Sequence, residues 1–245
     1  QFPIPSPLPP LPRSLFPVPS ARFPVPSSQF PFVCLGLLLV AAPASAAGGR
    51  YEVQEIKPGV FAWVPEDIVD QWSDPQFNRA GTAGFIITAE GVVVVNTTNS
   101  PFHARELLYE IRQRTELPVR YVINTCAHGD RMLGNEVFQA LQAAIISTAV
   151  AQDEMRRYQQ DLARRTREDY RMEARMRGFH FTLPTQVFDA EMSLKLGGRE
   201  IRILNVSGGH SAGDAVVYLP DAKALFLGHL FENGYFPRLA SSDVQ

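Results

Sequence analysis

Beyond residue 50 the chain alternates apolar and polar positions. From Tyr51 to Val64, the residues Val53, Ile56, Val60, Phe61 and Trp63 flank a Pro58-Gly59 turn with the two-residue period of a strand pair. A polar loop, Pro65 to Asn78, carries Trp72 and leads to two more strands, Gly84 to Thr88 and Val92 to Val95, parted by the Ala89-Glu90-Gly91 turn. Ser100-Pro101 provides an N-cap and a first-turn proline, and Leu107, Leu108 and Ile111 then share one side of a helix. After the Leu117-Pro118 break, Tyr121 to Asn124 reads as a buried strand that delivers the chain into a loop, Thr125 to Arg131. Met132 to Leu141 then reads as a helix and Ala144 to Thr148 as a short strand.

From Ala149 to about Arg177 the chain is rich in Arg, Glu, Gln and Met, with sparse apolar positions and arginines interspersed with acids. The expectation there is one or two solvated helices rather than a surface for an anionic partner. The last third returns to strands: Met192 to Leu196, a Gly197-Gly198 hairpin, Ile201 to Val206, the Ser207-Gly208-Gly209-His210 loop, Ala215 to Leu219, a Pro220-Asp221 turn, and Ala224 to Leu227. Strands, then helices, then strands predict an α/β sandwich.

The N-terminal stretch has a different character. Residues 1–31 hold more than half of the 20 prolines, and Phe16-Pro17-Val18-Pro19-Ser20 repeats as Phe23-Pro24-Val25-Pro26-Ser27. Such a segment forms neither helix nor packed sheet and is expected to be a disordered or spurious extension. Residues 32–46 follow with the apolar run Phe32 to Ala42 and the A-x-A pattern Ala44-Ser45-Ala46, which read as a cleaved signal peptide. The expectation is a periplasmic or secreted protein whose domain spans 47–245, with no stable membrane insertion after cleavage. Cys34 would leave with the signal, so Cys126 would be the mature chain's single cysteine and no internal disulfide could form. The formal net charge of −2, without a basic stripe interleaved with aromatics, gives no reason to expect a nucleic-acid partner. A small-molecule substrate is the expected partner.

The residues with metal chemistry all follow strands: Asn96 after Val95, Cys126 after Asn124-Thr125, His210 after Val206 and His229 after Leu227. Strand ends at one edge of a sheet can converge, and Cys126-Ala127-His128-Gly129-Asp130 could aim several donors from one turn. His103 and His180 match no such pattern and are expected at the surface.

Four ordered segments carry a resemblance. They are Thr82-Ala83-Gly84-Phe85-Ile86, Val93-Val94-Val95-Asn96-Thr97, Tyr121 through Asp130, and Gly209-His210-Ser211-Ala212-Gly213-Asp214 running on to Pro220, continued by Leu225-Phe226-Leu227-Gly228-His229. In order and spacing they resemble the metallo-β-lactamase superfamily. The resemblance implies an αββα sandwich in which one or two zinc ions activate water for hydrolysis. In the family's H-x-H-x-D-H pattern Cys126 stands at the first position, His128 and Asp130 match, and Arg131 stands at the last. His210 matches the next ligand, and His229 stands where relatives carry Asp or Cys. Asn96 replaces a buried Asp, with a structural hydrogen-bonding role expected. The family's last histidine would fall beyond Gln245, so the C-terminal half of the sandwich is expected to be incomplete.

The resemblance therefore implies metal ligands drawn from Cys126, His128, Asp130, His210 and His229. Cys126, His128 and His210 would hold a first zinc with a position open for water, while Asp130 and His229 alone would make a weak second site, so one ion is expected rather than two. Asp130 and His128 are the expected catalytic residues, Asp130 orienting the attacking water. The reading is an exported zinc-dependent hydrolase acting on an ester or amide bond, β-lactams included. Its alternative is a non-catalytic or fragmentary family member with a decayed metal site that serves as a binding protein. Glu232 stands where one lactamase class places a carboxylate-pairing Lys, which argues against anionic penicillins, although Arg238 nearby could restore a positive clamp.

Overall fold

The computed structural model describes residues 51–66 and 73–232. The expectations for residues 1–31, for the signal at 32–46 with Cys34, for Trp72 and for Arg238 lie outside the described residues.

The described chain runs through β1 (Tyr51–Lys57), β2 (Val60–Pro65), β3 (Ala83–Ile87), β4 (Val92–Val95), α1 (Pro101–Arg112), β5 (Val119–Ile123), α2 (Gly129–Met132), α3 (Asn135–Gln139) and β6 (Ala144–Thr148). It continues with α4 (Ala149–Glu168), α5 (Tyr170–Arg175), β7 (Gln186–Phe188), β8 (Glu191–Leu196), β9 (Arg199–Asn205), β10 (Ala215–Leu219) and β11 (Ala224–Phe226). A seven-stranded sheet is ordered β1-β2-β3-β4-β5-β6-β7, antiparallel through β4 and parallel from β4 to β7. A four-stranded antiparallel sheet is ordered β11-β10-β9-β8.

The period of two explains how the layers stack. Val92 and Val94 pack with Phe85, Val122 and Ile145 against Leu107 and Ile111 of α1, whereas Val93 and Val95 pack with Ile86, Ile123 and Ile146 against Ile201, Ile203 and Val217 of the second sheet. Successive side chains thus enter two different cores. This is why β4 is an unbroken valine run, since a strand covered on both faces has no polar face to show. No described helix is long and apolar enough to cross a membrane.

Several elements differ from the sequence expectations. The expected helix over Met132 to Leu141 is displaced and split: α2 starts within the predicted loop, at Gly129, and ends at Met132, and α3 begins at Asn135 after a break at Gly134. A Cβ there would lie 2.0 Å from the Thr97 carbonyl oxygen, so the close approach of β4's exit loop requires glycine. The three-residue β7, following Pro184, is too short to show a period, yet it extends the parallel sheet beside β6. His103 is buried rather than at the surface, because it shares the i, i+4, i+8 stripe of α1 with Leu107 and Ile111. Its Nδ1 lies 2.7 Å from Glu106 Oε2. The Arg-rich segment is not simply solvated: α4 buries Ala151, Met155 and Leu162, and α5 buries Met172.

Candidate metal centre

The candidate ligands lie on loops that leave strand ends of both sheets. β4 ends at Asn96, whose left-handed backbone (φ 62°) lets Oδ1 accept from the Thr125 N–H at 2.9 Å and from Thr125 Oγ1 at 3.1 Å. Asn96 therefore ties the exit of β4 to the loop that follows β5. Beneath that loop the buried amides of Asn124 and Asn135 bond reciprocally: Asn135 Nδ2 donates to Asn124 Oδ1 (2.9 Å) and Asn124 Nδ2 donates to Asn135 Oδ1 (3.0 Å). From the second sheet, β9 leads to His210 and β11 leads through Gly228 to His229. Gly228 has φ +58°, and a Cβ on it would sit 2.5 Å from Thr125 Oγ1, so the turn that presents His229 needs a residue without one.

The side chains converge. Cys126 Sγ lies 3.2 Å from His229 Nδ1 and 3.4 Å from His128 Nδ1. One donor atom from each of Cys126, His128 and His229 falls within 4.8 Å of the other two. The His210 ring centroid is 4.6 Å from that of His128 and 4.6 Å from that of His229. Asp130 Oδ2 lies 2.9 Å from His229 Nε2, on the side of the ring facing away from Cys126. The grouping thus differs from the expected division into Cys126, His128 and His210 on one side and Asp130 with His229 on the other. His229 joins the thiol cluster, and Asp130 stands behind it as the carboxylate that sets a histidine ring.

The electrostatics follow from this packing. Burial opposes ionisation of the Cys126 thiol, but the charge of His229 and hydrogen bonds from His128 and His229 outweigh it and bring the pKa down to about 6. Burial and the Arg131 guanidinium disfavour charge on His229, but Asp130 and Cys126 prevail and raise it to about 9. His128 is also raised, burial being outweighed by the Cys126 sulfur. Burial, followed by the charges of His229 and His128, lowers His210 to about 4, so its imidazole is neutral near pH 7. Asp130 is held well below the usual carboxylate range despite its burial, by His229 and Arg131.

The donor set suits a soft or borderline divalent ion. Zn–S of about 2.3 Å and Zn–N of about 2.0 to 2.1 Å in a tetrahedron imply S···N edges of about 3.6 Å. The two observed edges, 3.2 and 3.4 Å, are close to that value. A thiolate and a neutral imidazole are ligand-ready, whereas His229 carries a proton that an ion must displace.

Two further residues hold the site: Asp214, not singled out from the sequence, and Arg131, placed from it only at the last position of the H-x-H-x-D-H pattern. Asp214, 2 % exposed, accepts from the backbone N–H groups of His210 (2.6 Å) and Ser211 (2.7 Å) and from Ser211 Oγ (2.6 Å), which fixes the His210 loop. An acid four residues after a candidate ligand, past a glycine, is the local signal for such a turn. Arg131 is 5 % exposed, donates to the Thr82 carbonyl at 2.6 Å, and lies 3.4 Å from Asp130 Oδ2 and 3.5 Å from Glu232 Oε1. The centre opens into a cavity of about 770 Å³ lined by Val64, Phe77, His128, Asp130, His210 and His229 among others.

The family model of the metallo-beta-lactamase superfamily matches residues 78–244. A curated metallo-beta-lactamase type 2 of Elizabethkingia meningoseptica is 26% identical over 155 residues, which cover 63% of this chain and 54% of that protein. The chain thus spans about half the length of that relative. The solved metallo-beta-lactamase from Pontibacter korlensis aligns with a TM-score of 0.56 and 21% identity, over 78% of this chain and 77% of that one. The metallo beta lactamase from Hirschia baltica aligns with a TM-score of 0.57 and 20% identity, over 79% of this chain and 77% of that one. At such identities the structural likeness shows the fold, and with the family match over most of the chain it settles the lineage: the chain belongs to the metallo-β-lactamase superfamily.

Proposed function

We propose that this chain is a metal-dependent hydrolase in which Cys126, His128, His210 and His229 hold one zinc ion. The observation that carries the reading is the convergence of one sulfur and two nitrogens within 4.8 Å, beside a cavity large enough for a small molecule. Family membership supports it, since relatives of this fold use zinc in hydrolysis. When bound, the ion would supply Lewis acidity and lower the pKa of water. The thiolate of Cys126 adds negative charge at the centre, which makes water activation weaker than three imidazoles would give.

The chain's own residues supply the remainder. Asp130 keeps the His229 ring oriented through Nε2, and it lines the cavity, where its ionised carboxylate can accept a hydrogen bond from an attacking water and orient it. His210, neutral near pH 7, presents a lone pair and does not repel an ion. Asp214 fixes the backbone on which His210 rides. The substrate is an uncharged ester or amide. Arg131 is already held by Asp130, Glu232 and the Thr82 carbonyl, and the apolar side chains of Val64, Phe77, Leu225 and Phe231 form much of the wall. A carboxylate-bearing substrate meets the Glu232 carboxylate beside Arg131, where a pairing cation would be needed.

The test is the zinc content of purified protein with and without Cys126→Ala, paired with hydrolysis of p-nitrophenyl acetate and of a chromogenic cephalosporin. About one zinc per chain, lost on mutation, together with hydrolysis of the neutral ester, is the expected result. Near-zero zinc in both proteins would sink the enzyme reading and leave a non-catalytic binding protein. A cephalosporin cleaved faster than the ester would refute the charge argument.

A further inference from the structure

Helix α4 reaches the metal centre indirectly, through an ionic contact to the buried Asp74 carboxylate. Asp74 is 0 % exposed and caps the short turn Pro75–Phe77 by accepting from the Gln76 N–H at 3.0 Å. Its carboxylate also accepts a two-pronged pair of bonds from Arg165 of α4, Nη1 to Oδ1 at 3.0 Å and Nη2 to Oδ2 at 2.7 Å, and a bond from the Tyr158 hydroxyl. Asp161, one turn before Arg165, accepts from its Nε at 2.7 Å and aims the guanidinium. α5 adds a bond from Arg175 Nε to the Ser73 carbonyl at 2.9 Å. Tyr158, Asp161 and Arg165 are spaced i, i+3 and i+7, so one face of the helix holds the turn.

What the turn carries is Phe77. Its ring meets the Tyr158 ring edge-on at 5.6 Å and the His128 ring edge-on at 6.1 Å. It also lies so close to Gly129 that a Cβ there would come within 2.5 Å of it. Phe77 therefore packs on His128 and on the residue joining His128 to Asp130, and it lines both the main cavity and a smaller one of about 220 Å³ that Glu154 and Tyr158 also line. A bidentate guanidinium–carboxylate contact defines both distance and angle, whereas an apolar contact would let the turn slide.

We propose that Asp74, Tyr158 and Arg165 form a positioning clip through which α4 sets Phe77 against His128 and Gly129, and so governs the geometry and affinity of the metal centre. The clip rests on the reading of that centre as a metal site. These are positioning residues, since none of them touches the donor atoms.

The test uses the full chain loaded with cobalt(II), whose d–d and thiolate charge-transfer bands report the ligand geometry. Arg165→Met keeps much of the side chain's bulk and removes the fork, while Tyr158→Phe removes one hydroxyl and serves if the first variant fails to fold. Both variants should take up cobalt with shifted d–d bands, an unshifted thiolate band, and affinity reduced by about ten-fold. Arg165→Lys should fall between wild type and Arg165→Met. Cobalt bands and affinity identical in wild type, Arg165→Met and Tyr158→Phe would overturn the clip while leaving the metal centre standing. Failure of the wild-type chain to bind cobalt would overturn the metal reading and the clip with it.

Discussion

Asn135→Ala removes a 1 % exposed amide that supports the Thr125 to Arg131 loop from below. Its Oδ1 accepts from Thr97 Oγ1 at 2.9 Å and from Asn124 Nδ2 at 3.0 Å, and its Nδ2 donates to Asn124 Oδ1 at 2.9 Å and to the Thr182 carbonyl at 3.1 Å. Two of the partners survive the change, because Thr97 Oγ1 and Asn124 Nδ2 each also donate to the Arg131 carbonyl at 3.4 Å. Asn124 Oδ1 and the Thr182 carbonyl each lose the amide that faces them. A buried acceptor stripped of its donor costs about 1–3 kcal/mol, so the pair sets a loss of about 2–6 kcal/mol. A water entering the polar space left by the side chain trims this to about 2–4 kcal/mol. Urea unfolding of the metal-stripped protein, followed by far-ultraviolet circular dichroism and by fluorescence, should show coincident transitions with a lowered midpoint and an unchanged slope. Adding Asn124→Ala should cost less than its separate effect, with a coupling of at least about 1 kcal/mol, because the strandable acceptor leaves with it. Additive losses around that cycle would show that the two amides do not act as a unit.

Three further outcomes follow from the site and the clip. In metal-free protein, His229→Gln should move the midpoint of the ultraviolet thiolate absorbance of Cys126 upward from about 6, since burial then acts without its main opposing charge; an unmoved midpoint would contradict the pairing. Asp74 is destabilised as an ion by burial but held below its ordinary value by Arg165, Tyr158 and the Gln76 N–H, so its stabilisation is complete above the unfolded value of about 3.9 and drains as pH falls through the lower native one. Asp74→Asn should therefore cost about 2–3 kcal/mol near neutrality, less than the about 3–5 kcal/mol of a fully buried pair because Arg165 is 19% exposed and keeps Asp161, and the gap in urea midpoints should close below about pH 4. A gap that persists in acid would argue that packing, not charge, is lost. Gly228→Ala forces a Cβ to 2.5 Å from Thr125 Oγ1 at φ +58° and should cost about 1–3 kcal/mol while displacing His229; chelator competition showing wild-type zinc affinity would refute the link between that turn and the centre.

Most of the fold was legible because its elements repeat a period over enough residues. The strands at Val92–Val95 and Ala144–Thr148 and the Ser100-Pro101 helix start lie where patterning places them. Shorter elements carried too little signal: β7 has three residues, and the break at Gly134 depends on Thr97, which is close only in space. The convergence of the candidate ligands could be anticipated from their strand-end positions, but their grouping could not. Whether His229 faces Cys126 or stands apart with Asp130 depends on how the second sheet docks on the first, and no local spacing encodes that. His103 was the opposite case, since its i, i+4, i+8 relation to Leu107 and Ile111 was visible in the sequence and placed it inside. Asp74 and Arg165, 91 positions apart, are joined only by the packing of α4, so each taken alone looked like a loop acid and a solvated base.

The contact between Cys126 and His229 spans 103 positions and joins a loop of the seven-stranded sheet to one of the four-stranded sheet. An ion gripped by both ends would act on the polymer as a reversible cross-link closing that long ring. A covalent tie around a loop of this length removes chain entropy worth about 4.7 kcal/mol from the unfolded ensemble. The ring can close only once the two sheets have met, so the ion would be captured late in folding and would then hold them together. Chelation would in that case cut the tie between the two sheets and lower the urea midpoint, with unfolding still a single cooperative step.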